Sequence, residues 1–314
     1  MKVIFTFFSF FCLFILSSSN CFSFEVEEIA DGVFVHYGFQ DDSNKVNKGD
    51  IANIGFIIGT KSIMVIDTGG TKSIGQNLLK KIRERSKLPI SHVVLTHAHP
   101  DHFFGTEAFL EDNPKIIGHE KLNRSMYSNY KFYKELQFNS TKDNSLKETK
   151  LVTATVEIKI NNIHKIDLGE RIIEVRAWES GHTDNDLSVF DTKTKVFWSE
   201  NIFVDRTPSI RASILGWRRN LSIIKKMQIK LIVPGHGNVL DKNQAIKPMI
   251  NYFDRLISQI RSFHKDNKSL QESINKILQD EILDPKKVNK EGWVLFTEYH
   301  YSNVTKAYTE LEWE

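Results

Sequence analysis

The chain has 314 residues, enough for one large or two ordinary domains around a buried core. Hydrophobic and charged fractions of 40% and 26% exclude a disordered, collagen-like or multi-span membrane protein. Lys+Arg 42 against Asp+Glu 39 leaves a formal net charge of only +3, without the concentrated basic field on which nucleic-acid binding depends.

Residues 1–23, MKVIFTFFSFFCLFILSSSNCFS, have the layout of a secretory signal: one Lys, an apolar run from Val3 to Leu16, then small polar residues. The run is short for a membrane span, so cleavage after Ser23 and a periplasmic or secreted protein are expected. Loss of Lys2 takes the net charge from +3 to +2. Cys12 and Cys21 are the two cysteines of the chain, so the mature protein would have neither disulfides nor thiolate metal ligands. Bulky Asn20 argues against lipidation of Cys21.

From Phe24 to about Asp67, GVFVHYG, NIGFIIG and SIMVIDTGG predict a meander of strands. A helix follows between Lys72 and Ser86, where Ile74, Leu78, Leu79 and Ile82 form one stripe. Ser91 to Thr96 reads as a buried strand that runs straight into HAHPDH. Gly105 to Leu110 suggests a helix and Ile116–Ile117 a strand. Lys121 to Lys150 mixes Tyr127, Tyr130, Phe132, Tyr133 and Phe138 with lysines, and reads as a helix plus a loop roofing the site. RIIEVRAW, LSVFD, VFWSE and LIVPGHG are further strands, with a helix over Ile214 to Met227. Beyond Asp241 the texture turns helical: Ile246, Ile250, Phe253, Leu256, Ile257, Ile260 and Phe263 make a stripe, followed by helices near Leu270 to Leu278 and Val304 to Leu311. The expected organisation is a catalytic domain over 24–241 and a helical extension over 242–314.

Of the 11 histidines, five fall in three short strings at predicted strand ends: THAHPDHFFG (His97, His99, His102), SGHTDND (His182) and VPGHG (His236). Residues two apart in extended chain share a face, so His97 and His99 can point into one cavity. The turn at Pro100 lets Asp101 and His102 approach from another direction. His97, His99 and His182 then make one three-ligand set, and Asp101, His102 and His236 a second. Three protein ligands with an open position suit a catalytic zinc, and an all-N/O donor set also accommodates iron or manganese. Two ions roughly 3.5 to 4 Å apart would activate water as the nucleophile and polarise the substrate. His36, His92, His119, His164, His264 and His300 lie outside these strings and read as ordinary core or surface histidines.

THAHPDH, the upstream VIDTGG, and the downstream GHT and PGHG resemble the metallo-β-lactamase-fold hydrolases to about Asp241. The resemblance implies an αββα sandwich with one or two zinc ions at an edge between two sheets, His97, His99, His182 and Asp101 at the catalytic centre, and Asp67 bracing the ligand loop. NIGFIIGTKSIMVIDTGG, LPISHVVLTHAHPDH, ILGW and NVTKAYTELEWE are similar to the SoxH-related quinoprotein relay system zinc metallohydrolases, which implies a periplasmic quinoprotein dehydrogenase as partner. Many members carry a metal-bridging Asp after the VFW strand. Here the string is WSENIFVD, with Asn201 expected at that position and Glu200 beside it as the available carboxylate.

The function so implied is a zinc-dependent hydrolase of a small carbonyl substrate, an ester, thioester or lactam. A β-lactamase proper, a mononuclear iron oxidoreductase acting on persulfides, and a non-catalytic metal-binding accessory protein are the alternatives.

Overall fold

The computed structural model describes residues 24–314; the signal expected at 1–23 lies outside the described residues. Two sheets stack face to face. The first has seven strands in sequence order: β1 Glu27–Ala30, β2 Val33–His36, β3 Ile54–Ile58, β4 Ile63–Ile66, β5 Ile90–Val94, β6 Lys115–His119 and β7 Val156–Ile158. Its first four strands pair antiparallel, and β4 to β7 pair parallel. The second contains β8 Ile163–Asp167, β9 Ile172–Ala177, β10 Leu187–Asp191, β11 Val196–Phe203, β12 Leu231–His236 and β13 Leu240–Asp241, with β11 and β12 as its parallel pair.

The helices are α1 Lys72–Arg85, α2 Pro100–Phe103, α3 Leu122–Thr141, α4 Ser145–Glu148, α5 Ile214–Lys226, α6 Lys242–Lys265, α7 Leu270–Leu283, α8 Pro285–Val288 and α9 Phe296–Leu311. Alternation along the strands sorts their side chains into separate cores. Val33, Val35, Met64, Ile66, Val175, Val189 and Trp198 fill the space between the sheets. Phe56, Val65 and Val93 on the other face of the first sheet meet Ile74, Leu78 and Ile82 of α1 and Leu122 and Met126 of α3. Phe197 and Ile232 on the outer face of the second meet Trp217 and Leu221 of α5 and the stripe of α6. The result is an αββα sandwich.

The stripe from Ile246 to Phe263 is buried as expected, but against α5, the second sheet and α9 in one continuous core. The segment after Asp241 therefore begins as the outer helical layer of the sandwich itself. Other differences are local. Gly105 to Leu110 folds into a 3-10 helix, Thr106–Asp112, and β7 and β8 are strands without a sequence signal. In β8 only Ile166 is buried, so no alternation marks it. No helix among the described residues is long and apolar enough to cross a membrane.

Candidate metal centre

The parallel strands β4 and β5 end side by side, and the chain beyond them carries the site. Asp67 directly follows β4 in the left-handed region, at φ 53°. After β5 the chain bends through His97 and Ala98 instead of continuing as strand. His99 is extended (φ −94°, ψ 144°) and Pro100 opens the single turn α2, which carries Asp101 and His102. His182 comes from the loop between β9 and β10, and His236 ends β12. Gly235 is needed beside it, because a Cβ there would lie 2.4 Å from the Glu200 carbonyl oxygen of β11.

These elements bring the six side chains together as two groups, His97–His99–His182 and Asp101–His102–His236, each with its ligand atoms within 4.8 Å of one another. In the first, His99 Nδ1 lies 2.8 Å from His97 Nε2 and 3.0 Å from His182 Nε2. In the second, Asp101 Oδ2 lies 3.3 Å from His102 Nε2 and 3.6 Å from His236 Nε2. The rings of His97 and His102 are 4.3 Å apart, so the groups adjoin.

The opposite ring nitrogens are tied down. His182 Nδ1 donates to the Ser209 carbonyl at 2.8 Å and His236 Nδ1 to the Ile51 carbonyl at 2.8 Å. His102 Nδ1 donates to Asp67 Oδ2 at 2.7 Å. Asp67 also accepts from the Thr96 amide at 2.8 Å and the Thr96 hydroxyl at 2.6 Å; with its proton so used, that hydroxyl accepts from His97 Nδ1 at 3.2 Å. Each of these four imidazoles thus turns Nε2 toward its group. Nitrogen and oxygen atoms converging at such distances need a proton or a cation between them, and an all-N/O donor set of this kind fits a divalent metal.

The electrostatics agree. Burial holds His97 and His182 well below the ordinary imidazole pKa, and takes His99 to about 4 and His236 to about 3, leaving neutral ligands. For His102 burial opposes the charge, but the Asp101 and Asp67 carboxylates outweigh it and push the pKa up to about 10. Burial likewise opposes charge on Asp101, and the His102, His236 and His99 rings keep it ionised far below its ordinary range. The second group thus holds excess negative charge that a proton on His102, or a bound cation, offsets.

Asn201, expected at the position of the bridging Asp, makes its hydrogen bonds to residues outside the two ligand groups. Its Oδ1 accepts from the Ser199 hydroxyl at 2.6 Å, and its carbonyl accepts from the Trp217 indole of α5 at 2.8 Å. Successive strand residues point to opposite faces, and the charged neighbours of Glu200 are Asp186, Asp67 and His102. Glu200 is the carboxyl beside the site. It is buried without a hydrogen-bond partner among the described residues. Burial, with the Asp186 and Asp67 carboxylates nearby, pushes its pKa well up.

Four contributors had not been singled out in the sequence. Asn185 Oδ1 accepts from the Ala98 amide at 2.9 Å, joining the loops that carry His99 and His182. Arg206, Arg211 and Tyr299 line a cleft of about 820 Å³ that opens onto His99, Asp101, His182 and His236. Its opposite wall is α3, through Ser125, Asn129, Phe132, Tyr133 and Leu136, where a roof was expected. The histidines outside the strings have ordinary surroundings: His119 Nε2, for example, meets the Trp178 carbonyl at 3.2 Å, and His300 Nδ1 the Tyr252 hydroxyl at 2.9 Å.

With fold and site in view, comparison defines the class: residues 47–236 match the Metallo-beta-lactamase superfamily, and the chain belongs to that family. Among solved structures it is similar to a metallo-beta-lactamase from Pontibacter korlensis, at 20% identity and TM-score 0.58 over 73% of this chain and 98% of that one. A variant of the sec-alkyl sulfatase PisA1 matches with 16% identity and TM-score 0.64, over 80% of this chain and 45% of that one. Among curated sequences, the alkyl/aryl-sulfatase BDS1 of Saccharomyces cerevisiae is 34% identical over 73 residues, 23% of this chain and 11% of that protein. The chain thus spans a small part of that relative and less than half of PisA1.

Proposed function

We propose that the protein is a zinc-dependent hydrolase of a small ester, thioester or lactam, with His97, His99 and His182 holding one ion and Asp101, His102 and His236 a second. The observation that carries this is the convergence of six ligand atoms in two adjoining groups at the floor of an open cleft. Zinc so held would lower the pKa of water toward neutrality and polarise the bond to be cleaved. The chain's own residues prepare that chemistry. Asp67, Ser209 and Ile51 fix the rings through their outer nitrogens, and Asp101, ionised and at the cleft wall, adds the negative charge that favours a bound cation. Phe203 and Trp217 pack against His182 with ring centroids 5.2 Å away and keep bulk water from its back.

The 34% identity to an alkyl/aryl-sulfatase and the TM-score to PisA1 support a second reading, in which the bond cleaved belongs to a sulfate ester. The test is a chromogenic panel of p-nitrophenyl acetate, an acyl thioester, a chromogenic β-lactam and p-nitrophenyl sulfate, run on zinc-loaded protein. Turnover of one class that falls at least ~100-fold in the His97→Ala/His99→Ala double variant supports the reading; equal turnover in both proteins refutes it. Export to the periplasm and association with a quinoprotein dehydrogenase belong to the same proposal, and co-purification with such a partner from the periplasm tests both.

A further inference from the structure

The charges on the cleft wall are unequal in how they are satisfied. Asp42 is taken by Arg206 at 2.9 Å and by the Tyr299 hydroxyl at 2.6 Å, and Asp184 is paired with Arg124. Asp101 belongs to the second ligand group. The remaining charged side chain on the wall, Arg211, is exposed and has no hydrogen bond, ion pair or aromatic partner among the described residues. It is nevertheless held near the chemistry, since its backbone amide donates to the His182 carbonyl at 3.1 Å. Its positive charge also acts on the rings of His99 and His182. Across the cleft, α3 presents Phe132 at 62% and Leu136 at 47% exposure, with Tyr133 half-buried beside them. An unpaired guanidinium facing an apolar shelf complements a molecule with an anionic head and an apolar body.

We propose that Arg211 is a specificity-determining residue that binds an anionic oxygen group, carboxylate or sulfate, on a substrate whose apolar body lies along Phe132 and Leu136 of α3. The proposal rests on the cleft being the substrate site of the hydrolase proposed above, and adds the substrate's charge and shape. A guanidinium binds either head through paired N–H donors, whereas a neutral analogue gains nothing from it.

The experiment is calorimetric titration of octanoate, octyl sulfate and 1-octanol into zinc-treated full-length mature protein, its Arg211→Gln and Arg211→Lys variants, and Phe132→Ser. Arg211→Gln is expected to weaken at least one anion by about 10- to 100-fold, the range of a charge-assisted hydrogen bond, with 1-octanol unchanged. The anion more affected identifies the head group. Arg211→Lys recovers part of the loss, and Phe132→Ser weakens all three ligands alike. The proposal is overturned if neither anion binds the unmodified protein, if Arg211→Gln leaves both anions unchanged, or if it weakens 1-octanol equally. Its failure separates from that of the hydrolase reading. Protein inactive on the whole chromogenic panel whose Arg211→Gln variant still loses the anions refutes the hydrolase alone; active protein with unaltered anion affinities refutes the Arg211 site alone.

Discussion

Asp67 touches neither the cleft nor the first ligand group, yet it sets the direction of His102 Nε2 through a 2.7 Å hydrogen bond to Nδ1. Asp67→Asn is therefore expected to weaken metal affinity about 10- to 100-fold at the second group, measured by chelator competition, while the first group, linked to Asp67 only through Thr96, loses less. An equal loss at both would show that Asp67 acts only by holding the fold. Asn185→Ala removes the acceptor for the Ala98 amide and should loosen His99 against His182, lowering affinity at the first group instead. The ligand-type residues were legible because histidines spaced two and three apart beyond an apolar run leave a pattern that the chemistry requires. Asn201 and Glu200 were not, because which of two adjacent strand residues faces a site depends on register, and that is set by the pairing of β11 with β10 and β12. Single polar residues such as Asn185 and Arg211 have no spacing to betray them.

Among the elements, α6 was read most fully, since its stripe recurs at helical spacing for more than four turns and Asp241 caps it. Asp241 Oδ1 accepts from the Asn243 and Gln244 amides at 2.9 and 3.1 Å, so Asp241→Ala should cost about 1 kcal/mol in chemical denaturation. Helix α5 joins the parallel pair β11 and β12 and packs Trp217 between His182 and Phe253. Trp217→Ala is expected to cost about 3 to 5 kcal/mol, and a loss under ~1 kcal/mol would mean that α5 is not a fixed wall of the site. The sequence is least informative where an element is stabilised by its neighbours alone. Strand β8 is an exposed edge that pairs with β9 from Ile163 to Asp167, and its order comes from that ladder, not from its own pattern.

At the scale of the molecule, the two sheets are joined at opposite ends by different chemistry. At one end lie the two groups of candidate metal ligands. At the other the Arg171 guanidinium donates to the Ile58 carbonyl at 2.7 Å, the Asp31 carbonyl at 2.8 Å and Asp191 Oδ2 at 2.6 Å, tying β3 and the β1–β2 turn to β10. Burial opposes ionisation of Asp191, but Arg171 and Thr194 overcome it and hold the pKa below 3.8. The folded value being the lower one, this stabilisation is present above pH 3.8 and is lost as the pH falls below that toward the folded value. Arg171→Ala strands the buried carboxylate and should cost about 3 to 5 kcal/mol at neutral pH. Its penalty should shrink in acid, and a penalty independent of pH would contradict the pairing. The central claim, that sequence-distant stretches converge to grip two ions, is tested most directly by elemental analysis of metal per chain in the unmodified protein and in His182→Ala and His236→Ala. The account predicts two ions per chain, falling to about one in either variant, each retaining the ion of the intact group; metal at trace levels in the unmodified protein, or two ions kept in both variants, would contradict it.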